Sequence, residues 1–227
     1  MPEQLTYYGN KTAIALQEAN AKYQYFEIDF TNKPDWFVKV NPAGKVPAMT
    51  YGGPAVNPDQ PSPESTKLSE SAVLLEFIAD LHPSSGLLPS DLVQRAKARF
   101  FTTVVDTVVA PAMIAWVTQC APASTIVDAF KKLQELLPEN GRFAVGDAFT
   151  IADAGFAPLY VRVLLSAEGG VHKGGKEHAS GVLDALSSPE LAKFKAYGDR
   201  LVARPSVDTT WDKEASAAYL SKLVLGN

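Results

Sequence analysis

The chain changes its pattern once. Up to His82, strand and helix signals alternate; beyond Ser90, every periodic segment reads as helix. The join, HPSSGLLPS (His82–Ser90), carries Pro, Ser and Gly and suits a connection. Two domains are therefore expected: a mixed α/β domain over residues 1–82, a linker over 83–90 and an all-helical domain over 91–227. The length of 227 residues is long for one ordinary domain and comfortable for two.

Within the first part, Leu5–Tyr8 reads as a strand and Thr12–Ala21 as a helix. Tyr23–Ile28 suits a strand. Pro34–Val40 suits a short helix carrying Trp36 and Phe37. Val46–Tyr51 and Thr66–Ser69 read as strands, with the Gly- and Pro-rich stretch Gly52–Ser65 as a loop between them. Leu74, Phe77, Ile78 and Leu81 then mark one face of a helix over Ser71–Leu81. A strand–helix–strand opening implies a parallel pair, and the two later strands suit an antiparallel hairpin. In the second part, Asp91–Thr118 reads as a long helix kinked at Pro111. Ala123–Leu137, Pro189–Ala203 and Ala215–Leu225 are further helices. Thr150–Ser166 is apolar nearly all round and should be the buried central helix. Gly169–Gly181 is polar and glycine-rich, hence loop.

Composition narrows the function. A net charge of -4 favours neither nucleic acid nor an anionic membrane. Cys120 is the single cysteine, which excludes an intramolecular disulfide and suits a reducing compartment. The start, MPEQLTYYGN, lacks the features of a signal peptide, and no membrane span is expected. A cytoplasmic protein follows from these readings. His82, His172 and His178 show no ligand spacing, so no metal is expected.

Two residue pairs carry chemistry. Pro47 opens a strand, where it cannot donate to the ladder. A cis Val46–Pro47 bond would let Val46 offer its N–H and C=O to an extended peptide ligand, as an added strand would. The alternative is an ordinary trans proline at a strand edge. Glu70-Ser71 stands where a helix begins. The Ser71 hydroxyl and the first-turn amides suit a carboxylate, and Glu70 suits an ammonium group. Together they match the two ends of an α-amino acid. The alternative is a plain serine cap beside a solvated glutamate.

The order of these pairs, with NPAGKVPAM (Asn41–Met49), KLSESAVLLEFIADL (Lys67–Leu81) and FTIADAGFAPLY (Phe149–Tyr160), resembles the glutathione transferases across essentially the whole chain. FTNKPDWFVKVNPAGKVP (Phe30–Pro47) looks most like the omega class, and the insert Gly52–Ser65 looks like its fungal members. The resemblance implies an α/β thioredoxin-like N-terminal domain and an all-α C-terminal domain. It implies glutathione as cosubstrate, held by Val46 and Pro47 at its cysteinyl backbone. Glu70 and Ser71 would hold the γ-glutamyl end, and Lys33, with Lys45 nearby, the glycyl carboxylate. Thr150 and Asp153 resemble the family's capping box, a structural role. Phe100, Phe101, Val104 and Trp116 are candidates for an acceptor site in the helical domain. A homodimer is implied, with the segment around Trp36 and Phe37 as one possible contact.

The chain departs from the family where the glutathione sulfur is activated. Tyr8-Gly9-Asn10-Lys11-Thr12 runs almost directly from strand to helix, several residues short of the omega pattern. The Cys-Pro or Ser-Pro that usually opens the helix is missing. Tyr8 is the candidate donor to the sulfur, with Asn10 beside it; the alternative is that Tyr7 and Tyr8 pack in the sheet. Conjugation of electrophiles, deglutathionylation and peroxide reduction are the activities the resemblance implies. A ligandin that binds aromatic or phenolic compounds without turnover is the alternative.

Overall fold

A computed structural model of the chain describes residues 3–8, 12–29 and 32–225. These divide into two compact units, residues 1–88 and 89–227. The division falls within the stretch read as a linker.

The first unit is built on strands β1 (Leu5–Tyr8), β2 (Gln24–Phe26), β3 (Ala48–Tyr51) and β4 (Thr66–Ser69). They form one sheet in the order β2-β1-β3-β4. β1 pairs parallel with β2 and antiparallel with β3, and β3 pairs antiparallel with β4. The crossover from β1 to β2 is helix α1 (Ala13–Glu18); α2 (Ser71–Leu81) follows β4. β1 is an inner strand and is buried throughout, Thr6 included, which suits its mostly apolar sequence LTYY. Successive side chains point to opposite faces. Tyr7 meets the Tyr23 and Tyr25 rings, whereas Tyr8 meets Phe26, Trp36 and Phe37. The short 3-10 helix Asp35–Lys39 brings Trp36 and Phe37 to that second face. Phe37 is fully buried there and Trp36 is half-buried. This segment thus packs into the unit's own core.

The second unit contains α3 (Leu92–Val104), a π-turn (Val105–Val109), α4 (Ala110–Gln119), α5 (Ala123–Leu136) and α6 (Ile151–Gly169). It continues with α7 (Gly175–Leu186), α8 (Ala192–Val202), α9 (Pro205–Thr210) and α10 (Lys213–Leu225). The expected break at Pro111 becomes the π-turn that runs directly into α4. Proline lacks an N–H and presses on the carbonyl four residues earlier, and a wider turn relieves both conflicts. Leu92–Gln119 spans 28 residues and contains an 18-residue window of mean hydropathy 1.7, so it is long and apolar enough to cross a membrane by length and composition. That overturns the sequence expectation that no segment reaches this length. Its Phe101, Val105, Val109, Met113 and Trp116 are buried inside the unit.

α6 is the core of this unit, buried on nearly every side. Its Phe156 and Tyr160 meet Phe101, Phe130, Phe194 and Tyr197. The second half of the stretch read as loop, Gly175–Gly181, is instead the start of α7. Ala179, Val182 and Leu186 form its buried stripe, so tertiary packing overrides the low helix propensity of its glycines. α9, opened by Pro205, was not anticipated; its length of 6 residues leaves too little periodicity to read.

Candidate functional site

Val46 and Pro47 lead into β3, and Glu70 and Ser71 follow β4 into the start of α2. The Val46–Pro47 peptide is cis, immediately before β3. Pro47 is buried, and Val46 packs against the cluster of Tyr8, Ile28, Phe37, Val40 and Ala48. Hairpin pairing sets Ala48 opposite Ser69, which places the approach to β3 beside the exit from β4.

Glu70 follows that exit. It occupies the N-cap position of α2 with φ 73 and ψ 118, and its side chain does not cap the helix. Ser71 is the first helical residue. The cap is therefore not the serine of the plain alternative. A non-glycine residue at positive φ is uncommon and costs on the order of 1–3 kcal/mol. The α2 N-terminus keeps its positive end.

Lys33 and Lys45 are both exposed. Lys33 Nζ lies 3.9 Å from the place a Cβ on Gly44 would occupy. Gly44 has φ 62, a conformation that L side chains rarely adopt, so the turn before Lys45 needs glycine. The folded chain thus brings Lys33 to the turn that carries Lys45, across a gap that local pattern could not bridge.

Tyr8, the candidate donor to the sulfur, is engaged within its own unit. Its hydroxyl donates to the Pro58 carbonyl at 2.8 Å, and the ring is fully buried. Burial raises its pKa above the ordinary phenol value; a hydrogen bond from Thr50 opposes this and the Asp59 carboxylate adds to it. The alternative in which both tyrosines pack in the sheet describes the structure. Tyr7 is likewise buried, and its hydroxyl accepts from the Thr12 N–H at 2.9 Å. Asn10 lies outside the described residues.

The insert Gly52–Ser65 is fastened to the sheet by side chains that sequence reading did not single out. The Gln4 amide pairs with Val56 in both directions, at 2.7 and 2.8 Å. The Lys67 ammonium donates to the carbonyls of Ser62, Pro63 and Ser65 at 2.7, 2.9 and 2.6 Å. With the Tyr8–Pro58 bond, β1, β4 and the residue ahead of β1 all hold the insert. Pairings between side chain and distant backbone leave no periodic trace in a sequence.

In the second unit, the four acceptor candidates do not form one surface. Phe101 and Trp116 are fully buried. Phe101 packs edge-on against Phe156 and Tyr197, and Trp116 against His172. Both are core residues. Phe100 is 57% exposed and Val104 half-buried. Helical spacing alone cannot tell the core face from a ligand face, because both are apolar. His172 also stacks on His178 at 5.8 Å, and burial lowers its pKa. Among the described residues, no group of three or more His, Cys, Asp or Glu gathers as a metal would require. Cys120 is exposed, at the left-handed end of α4.

Thr150 caps α6 and Asp153 completes a capping box. Burial lifts the Asp153 carboxyl to about 6, against hydrogen bonds from Ala144, Thr150 and Tyr197 that favour its ionised form.

Comparisons with known proteins agree with this geometry. A family model described as glutathione S-transferase, N-terminal domain, matches residues 7–81. Glutathione S-transferase U25 of Arabidopsis thaliana is 30% identical over 207 residues, covering 88% of this chain and 82% of the relative. Glutathione transferase Omega 1C from Trametes versicolor matches with a TM-score of 0.93 at 42% identity, covering 99% of this chain and 98% of that one. Omega 2S from the same organism, solved in complex with 2,4-dihydroxybenzophenone, matches with a TM-score of 0.89 at 37% identity, covering 96% and 98%.

Proposed function

Because this chain belongs to the glutathione S-transferase family, we propose that its thioredoxin-like unit binds glutathione at the ends of β3 and α2 and presents it to hydrophobic or aromatic cosubstrates. The observation that carries the proposal is Glu70 at φ 73, directly ahead of the α2 N-terminus. Glutathione has a zwitterionic γ-glutamyl end, a peptide middle and a glycyl carboxylate. The residues offer groups of matching chemistry: the Glu70 carboxylate for the ammonium, Ser71 and the helix end for the α-carboxylate, the Val46 backbone for the cysteinyl peptide. Lys33 and Lys45 supply positive charge for the glycyl end.

Conjugation to electrophiles, reduction of glutathione mixed disulfides and peroxide reduction are the reaction classes in view. Each needs a sulfur with thiolate character, and the Tyr8 proton is already committed to Pro58. The activating group is therefore sought elsewhere. The exposed Phe100 and half-buried Val104 remain the acceptor-side candidates. Hydroxylated aromatic cosubstrates are proposed by analogy with the benzophenone complex of the Trametes versicolor protein. A cytoplasmic location fits the same reading.

Calorimetry with glutathione tests the site. Ser71→Ala removes a hydrogen bond to a charged group, worth about 1.5–3 kcal/mol, so affinity is expected to fall roughly ten- to hundredfold. Equal affinity in the variant and the wild type would remove Ser71 from the site. Conjugation of a chlorinated aromatic and reduction of a mixed disulfide, assayed on the same protein, separate turnover from binding alone.

We also propose a homodimer. The first unit leaves Val73 exposed, and the second leaves Leu92, Val93 and Phe100 exposed. Light scattering at micromolar concentration is expected to report twice the chain mass of 24.4 kDa. A mass equal to one chain would refute it.

A further inference from the structure

Asn41 stands at the start of the turn that leads into Val46, and it is 5% exposed. Its backbone closes the turn from both sides. The N–H donates to the Phe37 carbonyl at 2.9 Å and the carbonyl accepts from the Gly44 N–H at 2.8 Å. Its side chain closes the turn again. Oδ1 accepts from the Ala43 N–H at 3.1 Å, and Nδ2 donates to the Lys45 carbonyl at 2.7 Å. These two bonds determine the amide orientation, since the flipped amide would set donor against donor and acceptor against acceptor.

The Lys45 carbonyl belongs to the same planar peptide group as the Val46 N–H. In a trans peptide the C=O and the N–H point in opposite directions. A carbonyl held inward by a buried side chain therefore holds the next N–H outward. The short bond from Asn41 also resists the rotation of the peptide plane that would swing this N–H away.

We infer that Asn41 is a positioning residue for glutathione: by gripping the Lys45 carbonyl, it aims the Val46 N–H at the cysteinyl carbonyl of the bound tripeptide. The inference rests on the glutathione site proposed above. Asn41 itself touches no ligand. It acts through the peptide plane, so its effect is confined to the part of the ligand that Val46 meets.

That confinement supplies the test. Asn41→Asp and Asn41→Ser both keep an oxygen that accepts from the Ala43 N–H, and both lose the Nδ2 donor to Lys45: the serine hydroxyl ends one bond short of it, and aspartate sets a carboxylate oxygen in its place. Two probes are titrated by nuclear magnetic resonance with 15N-labelled protein. Glutathione carries the cysteinyl carbonyl; γ-glutamyl methylamide keeps the γ-glutamyl end and its amide N–H but lacks that carbonyl. In the wild type, glutathione should shift the Val46 amide resonance and γ-glutamyl methylamide should leave it nearly in place. In Asn41→Ser, glutathione affinity should fall about three- to tenfold, the effect of one neutral hydrogen bond, and in Asn41→Asp by more, because a carboxylate oxygen then faces the Lys45 carbonyl. Affinity for γ-glutamyl methylamide should stay within about twofold of the wild type. Equal losses for the two probes would make Asn41 a general support of the unit and overturn the inference; so would no loss for either. Wild-type protein that binds glutathione without moving the Val46 resonance overturns the role of Val46 independently of any variant. Wild-type protein that binds neither probe overturns the site itself.

Discussion

Asp153→Asn is expected to lower the stability of the helical unit by about 2–4 kcal/mol at neutral pH. One carboxylate oxygen accepts from the Ala144 N–H and the Tyr197 hydroxyl, both at 2.9 Å. The other accepts from the Thr150 N–H at 2.8 Å and the Thr150 hydroxyl at 3.1 Å. The side chain thus ties the start of α6 to residue 144 and to α8. Asparagine presents an NH2 group to one of these donor pairs and leaves both donors unpaired in a dry interior. Stability of a whole domain is about 5–15 kcal/mol, so a loss of this size is large.

The acid dependence has a definite sign. Burial lifts the Asp153 carboxyl from 3.8 to about 6. Between these values the folded state holds the proton more firmly than the unfolded state does. The contribution is complete below the unfolded value and is lost as pH rises through the folded one. The stability gap between wild type and Asp153→Asn should therefore widen from pH 7 to pH 4. Urea denaturation at both pH values measures it. Equal midpoints at pH 7 would contradict the network, and a gap that narrows on acidification would contradict the raised pKa.

Gly198→Ala is expected to cost about 2 kcal/mol or more, although alanine is the better helix former by about 1 kcal/mol. Gly198 lies in α8 against the Tyr160 ring of α6. A Cβ there would overlap Cε1 and Cζ of that ring and come within 2.6 Å of its hydroxyl oxygen. The ring has little room to retreat, because Phe130, Phe156 and Phe194 enclose it at 6.1, 5.7 and 5.7 Å. α8 must move away from α6 instead. Tyr160→Leu removes the overlapped atoms, so Gly198→Ala should cost clearly less in that background. A Gly198→Ala protein more stable than the wild type would show that helix propensity outweighs the contact.

Much of the first unit was legible because its signals are local. The run Leu5–Tyr8, the hairpin strand Thr66–Ser69 and the apolar stripe of Ser71–Leu81 match the observed elements end to end. Pro47 and Glu70-Ser71 could be read as a binding arrangement because each acts through its own stretch of backbone. The capping box was legible for the same reason, since Thr150 and Asp153 are one helical turn apart. Reading failed where a local pattern fits two environments. Phe101 and Trp116 share apolar character with ligand-lining residues, and only packing shows them to be core. The glycines around Gly175 suggested a loop, and the stripe on α7 outweighed them.

The sequence by itself determined the two-part division, the mixed sheet followed by helices, and the residues proposed to hold glutathione. Hydrophobic period, turn chemistry and helix ends are properties of a few neighbouring residues, so they are present before the chain folds. Tertiary structure alone decided how distant groups spend their hydrogen bonds. It committed the Tyr8 proton to Pro58 and enclosed the Lys67 ammonium in three carbonyls. It also brought Lys33 to the turn of Gly44 and set Gly198 against Tyr160. Which donor meets which acceptor depends on distances that only the folded chain creates, and a buried polar group must find its partner there because water is no longer available.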